Sequence, residues 1–420
     1  MKTLLKITLV LLSASAVGRT QVVPTATGPS GPPLGGHLQV ALRYSESVET
    51  SSELGNWQTI SPSGELSYTN GKERFPFSVT YTGGYTFTLT GPEYSTGEFQ
   101  RMLISQGFVN RKWNVNVSDN VSYLPQAPTL GFSGIPGTGE PIGGSGSAPS
   151  TTQSVLTLNT HVVNNNAAIQ VVDNESHALS FQFGGTSNIL RYPNNDGIDT
   201  DASAANAGAT WHLNGRNSIT AIYAFSEFGY PDYGDNFSTE TGTIGFQHQW
   251  TRHVSTQIAA GPEWISSINA PVQSGTGPSA TNVTAPSSLT AAASASASYQ
   301  LRDSSMSIFY TRTTNGGGGY LFGGEVDSVS GNLSKEFHKT LDIGLSAGYM
   351  RTSELVTSAI INATFGGAEA TWRVGRYVDV FATYSALSQS SDAALPSNTV
   401  NGILQEVTFG VGYTPTRLHR

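Results

Sequence analysis

Phe75-Pro76-Phe77-Ser78-Val79-Thr80-Tyr81-Thr82-Gly83-Gly84-Tyr85-Thr86-Phe87-Thr88-Leu89 is the stretch that decides the fold class. Phe75, Phe77, Val79, Tyr81, Tyr85, Phe87 and Leu89 fall on one phase of a two-residue period, and Pro76, Ser78, Thr80, Thr82, Thr86 and Thr88 on the other. Side chains alternate faces along a β-strand, so this segment reads as a strand with one oily and one hydroxyl-bearing face. The same period returns at Leu289, Ala291, Ala293, Ala295, Ala297, Tyr299 and Leu301, interleaved with Thr290, Ser294, Ser296, Ser298 and Gln300. It returns again at Leu341, Ile343, Leu345, Ala347 and Tyr349, and at Val378, Val380, Ala382 and Tyr384. Aromatic residues often stand near the strand ends, where an apolar face meets water.

Connections between these strands alternate in length. Short polar turns are read at Asn70-Gly71-Lys72, Asn110-Arg111-Lys112, Asn174-Glu175-Ser176, Asn214-Gly215-Arg216, Thr251-Arg252-His253, Arg302-Asp303, around His338-Lys339, and at Gly375-Arg376. Longer connections run over 125–153, 193–198, 231–237, 267–286, 315–319, 354–359 and 389–399. Tight turns at one end and long loops at the other are the layout of a closed antiparallel barrel with about 18 strands, 16 being the alternative count. A barrel of that size has a lumen too wide for side chains to fill, so its inward face can carry Ser, Thr, Asn and Gly around water.

Composition excludes several classes. The chain has no Cys, which removes disulfides, a lipidated cysteine and thiolate chemistry. Charged residues make up only 12% and hydrophobic ones 37%, roughly half the charge of an ordinary soluble domain without a gain in apolar content. No segment beyond residue 16 has the ~18 apolar residues of a membrane helix. The formal charge of -8 makes nucleic acid an unsuitable partner. Lys2 and Lys6, the apolar run Ile7 to Leu12 and the small residues Ala14-Ser15-Ala16 read as a secretory signal peptide over residues 1–16. Residues 17–36 are a Pro- and Gly-rich leader, 37–414 the barrel, and 415–420 a short tail.

Near the C-terminus, Ile403, Val407, Phe409, Val411 and Tyr413 alternate with Leu404, Glu406, Thr408, Gly410 and Gly412. This resembles the final-strand signal of bacterial outer-membrane proteins, although the chain runs on through Thr414 to Arg420 instead of ending on an aromatic residue. With the leader and the strand array, nearly the whole chain resembles a porin-like outer-membrane barrel. The resemblance implies an exported protein of the outer membrane, surrounded by lipid and lipopolysaccharide, inserted by the barrel-assembly machinery and passing small hydrophilic solutes, with self-association left open. It implies no cofactor and no enzymatic activity. Function is expected to be that of a passive, weakly cation-selective channel. The alternative is a structural or surface-interaction barrel, such as an adhesin or a polysaccharide-export accessory, acting through its long loops.

The eight His residues are scattered without metal-ligand spacing, and no Gly-x-Ser-x-Gly elbow occurs. In the strands, the inward phase includes Asp342, Asp379 and Glu406, carboxylates that would line a pore and favour cations. Asp119 breaks the pattern, standing in phase with Trp113, Val115, Val117, Val121 and Tyr123 on the lipid side. The 125–153 segment is too long for a plain connection and is expected to narrow the pore, with Phe132 and Glu140 setting size and charge selection. The stretch Asn194 to Asp201 gathers Asp196, Asp199 and Asp201 beside amide oxygens, a donor set of the kind calcium takes, though without EF-hand spacing.

Overall fold

A computed structural model describes residues 36–52, 55–72, 74–91, 96–124, 161–194, 197–273, 280–317, 320–338, 340–357, 359–392 and 401–415. The signal-peptide segment over 1–16 and nearly all of the 17–36 leader lie outside them, as does most of the 415–420 tail. The described residues form twenty strands in chain order: β1 (Gly36–Ser51), β2 (Gly55–Asn70), β3 (Phe77–Thr90), β4 (Gly97–Val109), β5 (Trp113–Leu124), β6 (Val162–Asp173), β7 (Leu179–Arg191), β8 (Thr200–His212), β9 (Asn217–Tyr230) and β10 (Asp235–Gln249). They continue as β11 (Val254–Ile265), β12 (Ile268–Gln273), β13 (Ala280–Ala285), β14 (Ser288–Gln300), β15 (Ser304–Asn315), β16 (Gly324–Phe337), β17 (Leu341–Glu354), β18 (Ile360–Arg373), β19 (Val378–Ser391) and β20 (Gly402–Tyr413).

Eighteen of these form one antiparallel sheet in which each strand pairs with its neighbours in sequence. The sheet closes on itself where β1 meets β20, from Leu42 opposite Tyr413 to Ser51 opposite Leu404. Closure leaves no sheet edge, the condition for strands to cross a bilayer with every backbone group paired. The remaining two strands, β12 and β13, form a separate hairpin within the connection from β11 to β14. The hairpin falls within the long connection that the sequence predicts over 267–286. None of the described helical residues forms a segment long and apolar enough to cross a membrane.

The turns expected from sequence lie together at one end of the barrel, with both barrel termini. Their Asn, Ser and Thr side chains substitute for missing backbone partners. Asn214 Oδ1 accepts from the backbone N–H of Arg216 at 2.9 Å and of Asn217 at 3.0 Å. Thr251 Oγ1 accepts from His253 and Val254, both at 3.1 Å. His338 takes a left-handed backbone at φ 52°, a conformation His tolerates better than branched residues. Lys112, between β4 and β5, pairs with Glu175 of the neighbouring turn, which raises its ammonium above the usual lysine range.

Period-two patterning sorts the two faces. Leu38, Val40, Leu42, Tyr81, Phe87, Ile244, Ile258, Leu289, Val380 and Phe409 are exposed on the outer face. An exposed apolar belt on a closed barrel is a lipid-facing surface. Trp113, Trp211, Trp250 and Trp372 ring its lower margin beside the short turns, at the height where indoles sit between hydrocarbon and water. Asp119 does remain in the outward phase, and the Asn165 amide of β6 donates to its Oδ1 at 3.0 Å. The carboxylate therefore faces the belt with one charge-assisted partner in place.

Candidate pore and its constriction

Alternation that sends apolar residues outward sends hydroxyls and amides inward. The lumen wall carries Ser67, Ser105, Asn116, Ser118, Asn166, Gln170, Thr220, Ser296, Ser307, Ser334 and Ser346 among others, and small polar pairs bond from strand to strand. Ser305 Oγ and Ser334 Oγ stand 2.7 Å apart, and Ser255 Oγ and Ser298 Oγ 2.6 Å. Three inward phenylalanines lie flat over inward glycines of the next strand: Phe99 over Gly84, Phe365 over Gly348 and Phe381 over Gly410. A Cβ at those glycines would come within 2.5 Å, 2.2 Å and 2.2 Å of the rings. Glycine is required there because the ring occupies the space any side chain would need.

Charge on the wall is unevenly placed. Asp342 of β17 and Asp379 of β19 lie inward near the short-turn end, and Glu406 of β20 lies inward toward the long-loop end. Arg373 of β18 donates to Asp342 Oδ2 at 2.9 Å and stands opposite Asp379 in the register. Glu336 and Glu369 share the same inner quadrant, so four carboxylates stand around Arg373, and Arg43 of β1 lies beyond Asp379 across Gly412. The Oε2 atom of Glu369 is buried without a hydrogen-bond partner. Glu406 is the direct neighbour of Glu49 across the closing seam and accepts from Thr408 Oγ1 at 2.9 Å. Glu49, Glu336 and Glu369 share the inward phase of Asp342, Asp379 and Glu406 and complete the strip that the sequence pattern shows only in part.

The outer mouth is narrowed by the hairpin that joins β15 to β16. β14 pairs with β15 only up to Ala293 opposite Arg312, whereas β15 and β16 stay paired to Asn315 opposite Gly324. The hairpin tip is thus released from its neighbour and bends inward. Tyr320 and Leu321 pack with Val162, Leu190 and Tyr192 from the β6–β7 wall and with Ile361 of β18, on the opposite wall of the ring. Phe322 packs with Phe228, Tyr230, Phe237, Ile265 and Ile268. Its ring meets Tyr230 edge-on at 5.2 Å and Tyr233 at 5.0 Å.

Hydrogen bonds hold the tip in place. Glu263 of β11, 2% exposed, accepts from the Thr314 hydroxyl at 3.1 Å and the Thr314 backbone N–H at 3.4 Å. Tyr230 donates to the Gly316 carbonyl at 3.2 Å, and the Phe322 N–H donates to Glu354 at 3.3 Å. Burial, with Tyr320 and Asp199 alongside, raises the Tyr192 phenol well above the usual tyrosine range, so it stays neutral against the Tyr320 ring. The sequence signal was present: Tyr320-Leu321-Phe322 is an apolar triplet between two runs of glycine, Gly316 to Gly319 and Gly323-Gly324. Apolar residues at the tip of a polar loop need somewhere to bury.

The narrowing expected from 125–153, with Phe132 and Glu140, lies outside the described residues. So does Asp196 of the oxygen-rich loop. Asp199 and Asp201 are described and are engaged by Arg191: Asp199 at 3.5 Å and Asp201 at 2.6 Å. Asp199 also accepts from the Tyr192 backbone N–H at 2.8 Å. Both of these carboxylates are thus paired with one guanidinium. Among the described residues, no group of three or more His, Asp or Glu is arranged to hold a metal ion.

Closed 18-strand topology, an apolar belt with its tryptophan margin and a polar interior together define the class: a porin-like β-barrel of the outer membrane. The chain is similar in structure to Pseudomonas aeruginosa OccK2 (OpdF), solved in complex with glucuronate, at 14% identity and a TM-score of 0.47, covering 93% of this chain and 100% of that one. It is also similar to Acinetobacter baumannii OccAB3, at 12% identity and a TM-score of 0.43 over 90% of this chain and 99% of that one. Pseudomonas aeruginosa OccK5 (OpdH) is similar at 11% identity and a TM-score of 0.45, over 92% and 99% of the two chains. No protein-family model and no curated protein matches the sequence.

Proposed function

We propose that this barrel is a passive diffusion channel for small hydrophilic solutes, narrowed at its outer mouth by Tyr320, Leu321 and Phe322 and weakly selective for cations. The observation that carries the reading is the polar inner wall of a ring too wide for its own side chains to fill. Cation preference follows from Glu336, Asp342, Glu369 and Asp379, which outnumber Arg373 and the nearby Arg43 near the inner end of the lumen and leave the exit net negative.

The test is single-channel recording of refolded protein in a planar bilayer, with the reversal potential measured under a salt gradient. Stable conductance steps with a reversal potential of cationic sign are the expected result. Silence from a correctly folded, heat-modifiable barrel would overturn the channel reading.

A further inference from the structure

The inner wall formed by β5, β6, β7 and β8 differs from the rest of the lumen. Its inward residues are Asn114, Asn116, Ser118, Asn120 and Ser122 on β5 and Asn164, Asn166, Ala168 and Gln170 on β6. Gln182, Gly184, Thr186 and Asn188 follow on β7, and Ala202, Ala204, Asn206 and Gly208 on β8. Among the described residues of these four strands, the inward face from Asn114 to Gly208 carries amides, hydroxyls and small or apolar residues such as Ala168 and Val172 without one carboxylate, lysine or arginine; Arg101 of the adjacent β4 reaches Asn120, and the acidic strip lies on β16 to β20.

Register orders these residues into rows. Asn120, Asn166, Asn188 and Ala202 stand side by side on successive strands, and so do Asn116, Gln170, Gly184 and Asn206. Between them runs a row of small residues, Ser118, Ala168, Thr186 and Ala204. The amide rows are four residues apart along each strand, about 13 Å at the usual rise, so small side chains floor a trough bordered by amides on both sides.

The trough is open to the lumen and partly pre-organised. Asn116 and Asn166 are exposed, and Asn120, Gln170 and Asn206 half-buried. Asn120 Oδ1 accepts from Arg101 Nε at 3.3 Å, Asn116 Oδ1 from Ser105 Oγ at 3.1 Å, and Asn164 Oδ1 from Asn188 Nδ2 at 3.1 Å. These bonds fix three amide planes before any solute arrives. Asn188, 5% exposed, keeps its Oδ1 without a partner at the upper margin.

Carboxamides offer two donors and an acceptor that carries two lone pairs, which matches the mixed donor and acceptor character of neighbouring hydroxyls. The described inward face of these four strands offers a charged solute no ion-pair partner, Arg101 of β4 being engaged by Asn120 at the margin, and such a solute would give up hydration to enter. We infer that the β5–β8 trough is a binding subsite for an uncharged polyhydroxylated solute, a short neutral saccharide, on its way through the lumen. The inference rests on the channel reading and names the solute class for it.

The experiment is occlusion of ionic current through the full-length protein in a planar bilayer, with maltotriose as probe and lysine and glutamate as charged comparators. Maltotriose is expected to interrupt the current in a concentration-dependent way, and the amino acids to leave it uninterrupted at the same concentrations. Asn166→Ala combined with Gln170→Ala should raise the half-blocking concentration about tenfold, two hydrogen bonds' worth. Ser118→Leu, which fills the trough floor by a different route, should do the same, and Ser330→Ala on the far wall should keep the wild-type value. Conduction without maltotriose block would overturn the subsite and leave the channel standing, whereas absence of conduction overturns the channel itself. Block of the double variant at the wild-type concentration, or stronger block by either amino acid, would also overturn the subsite.

Discussion

Replacing Phe322 by alanine tests the constriction where it is held most tightly. Phe322 is 8% exposed, and its ring sits against Tyr230, Tyr233 and Phe237 inside the outer mouth. Removing a buried phenylalanine costs about 3–5 kcal/mol, through lost transfer energy and the cavity left behind. Here that packing holds a hairpin tip against the wall instead of a closed core, so the loss falls on the balance between the seated tip and a tip withdrawn into water. A change of about 3 kcal/mol shifts such a balance more than 100-fold. A withdrawn arrangement too rare to see in the wild type should then become frequent. In single-channel traces, Phe322→Ala is expected to spend a large share of its time at a higher conductance, with Phe322→Leu in between because it keeps most of the volume. Identical conductance and dwell times in a folded, heat-modifiable Phe322→Ala barrel would show that Tyr320, Leu321 and Phe322 do not limit passage.

Asp342→Asn together with Asp379→Asn should move the reversal potential under a KCl gradient toward zero or to anionic sign, since Arg373 then loses two of its four acidic neighbours; an unchanged value would remove these carboxylates from selectivity. Gly410→Ala should lower the unfolding temperature by an amount equivalent to about 1–3 kcal/mol, because the new Cβ meets the Phe381 ring at 2.2 Å and the Tyr44 carbonyl at 2.6 Å across the closing seam. Gly366→Ala, whose nearest atom would be 3.6 Å away, serves as the tolerated comparison. Chelator should leave thermal stability unchanged, because Arg191 already neutralises Asp199 and Asp201; a calcium-dependent rise would show the loop ligating metal after all. The hydrogen bond from Lys112 to Glu175 raises the lysine above its ordinary value of 10.5, so its contribution is complete below that pH and lost as pH rises through the raised value. Unfolding profiles of wild type and Lys112→Met should therefore differ slightly at neutral pH and converge only under strongly alkaline conditions.

How much of this was legible in the sequence follows from the range of the interactions that decide each feature. The face a residue takes is a matter of parity along its own strand, so Phe75 to Leu89 and Leu289 to Leu301 could be sorted from the sequence alone, and the same parity gives the inward phase of Asp342, Asp379 and Glu406 and the outward phase of Asp119. Turns such as Asn214-Gly215-Arg216 are equally local, since the Asn side chain bonds a backbone only two residues on. The inward hairpin was not read, because its cause is a mismatch between two pairings. β14 keeps its register with β11 to Ser288 but leaves β15 after Ala293, and nothing within 313–324 announces where its neighbour stops.

The amide trough has the same origin. Asn120, Asn166 and Asn188 become neighbours only through the stagger of three strands, and a shift of two residues in any of them would keep every side chain on its proper face and still scatter the row. Parity thus decides what faces lipid and what faces water, and the stagger decides which inward groups meet. A barrel can therefore change the solute it favours while its outer surface and its assembly stay as they are. The lipid belt constrains only one residue in two, and the other phase is free to vary as long as it remains small and polar.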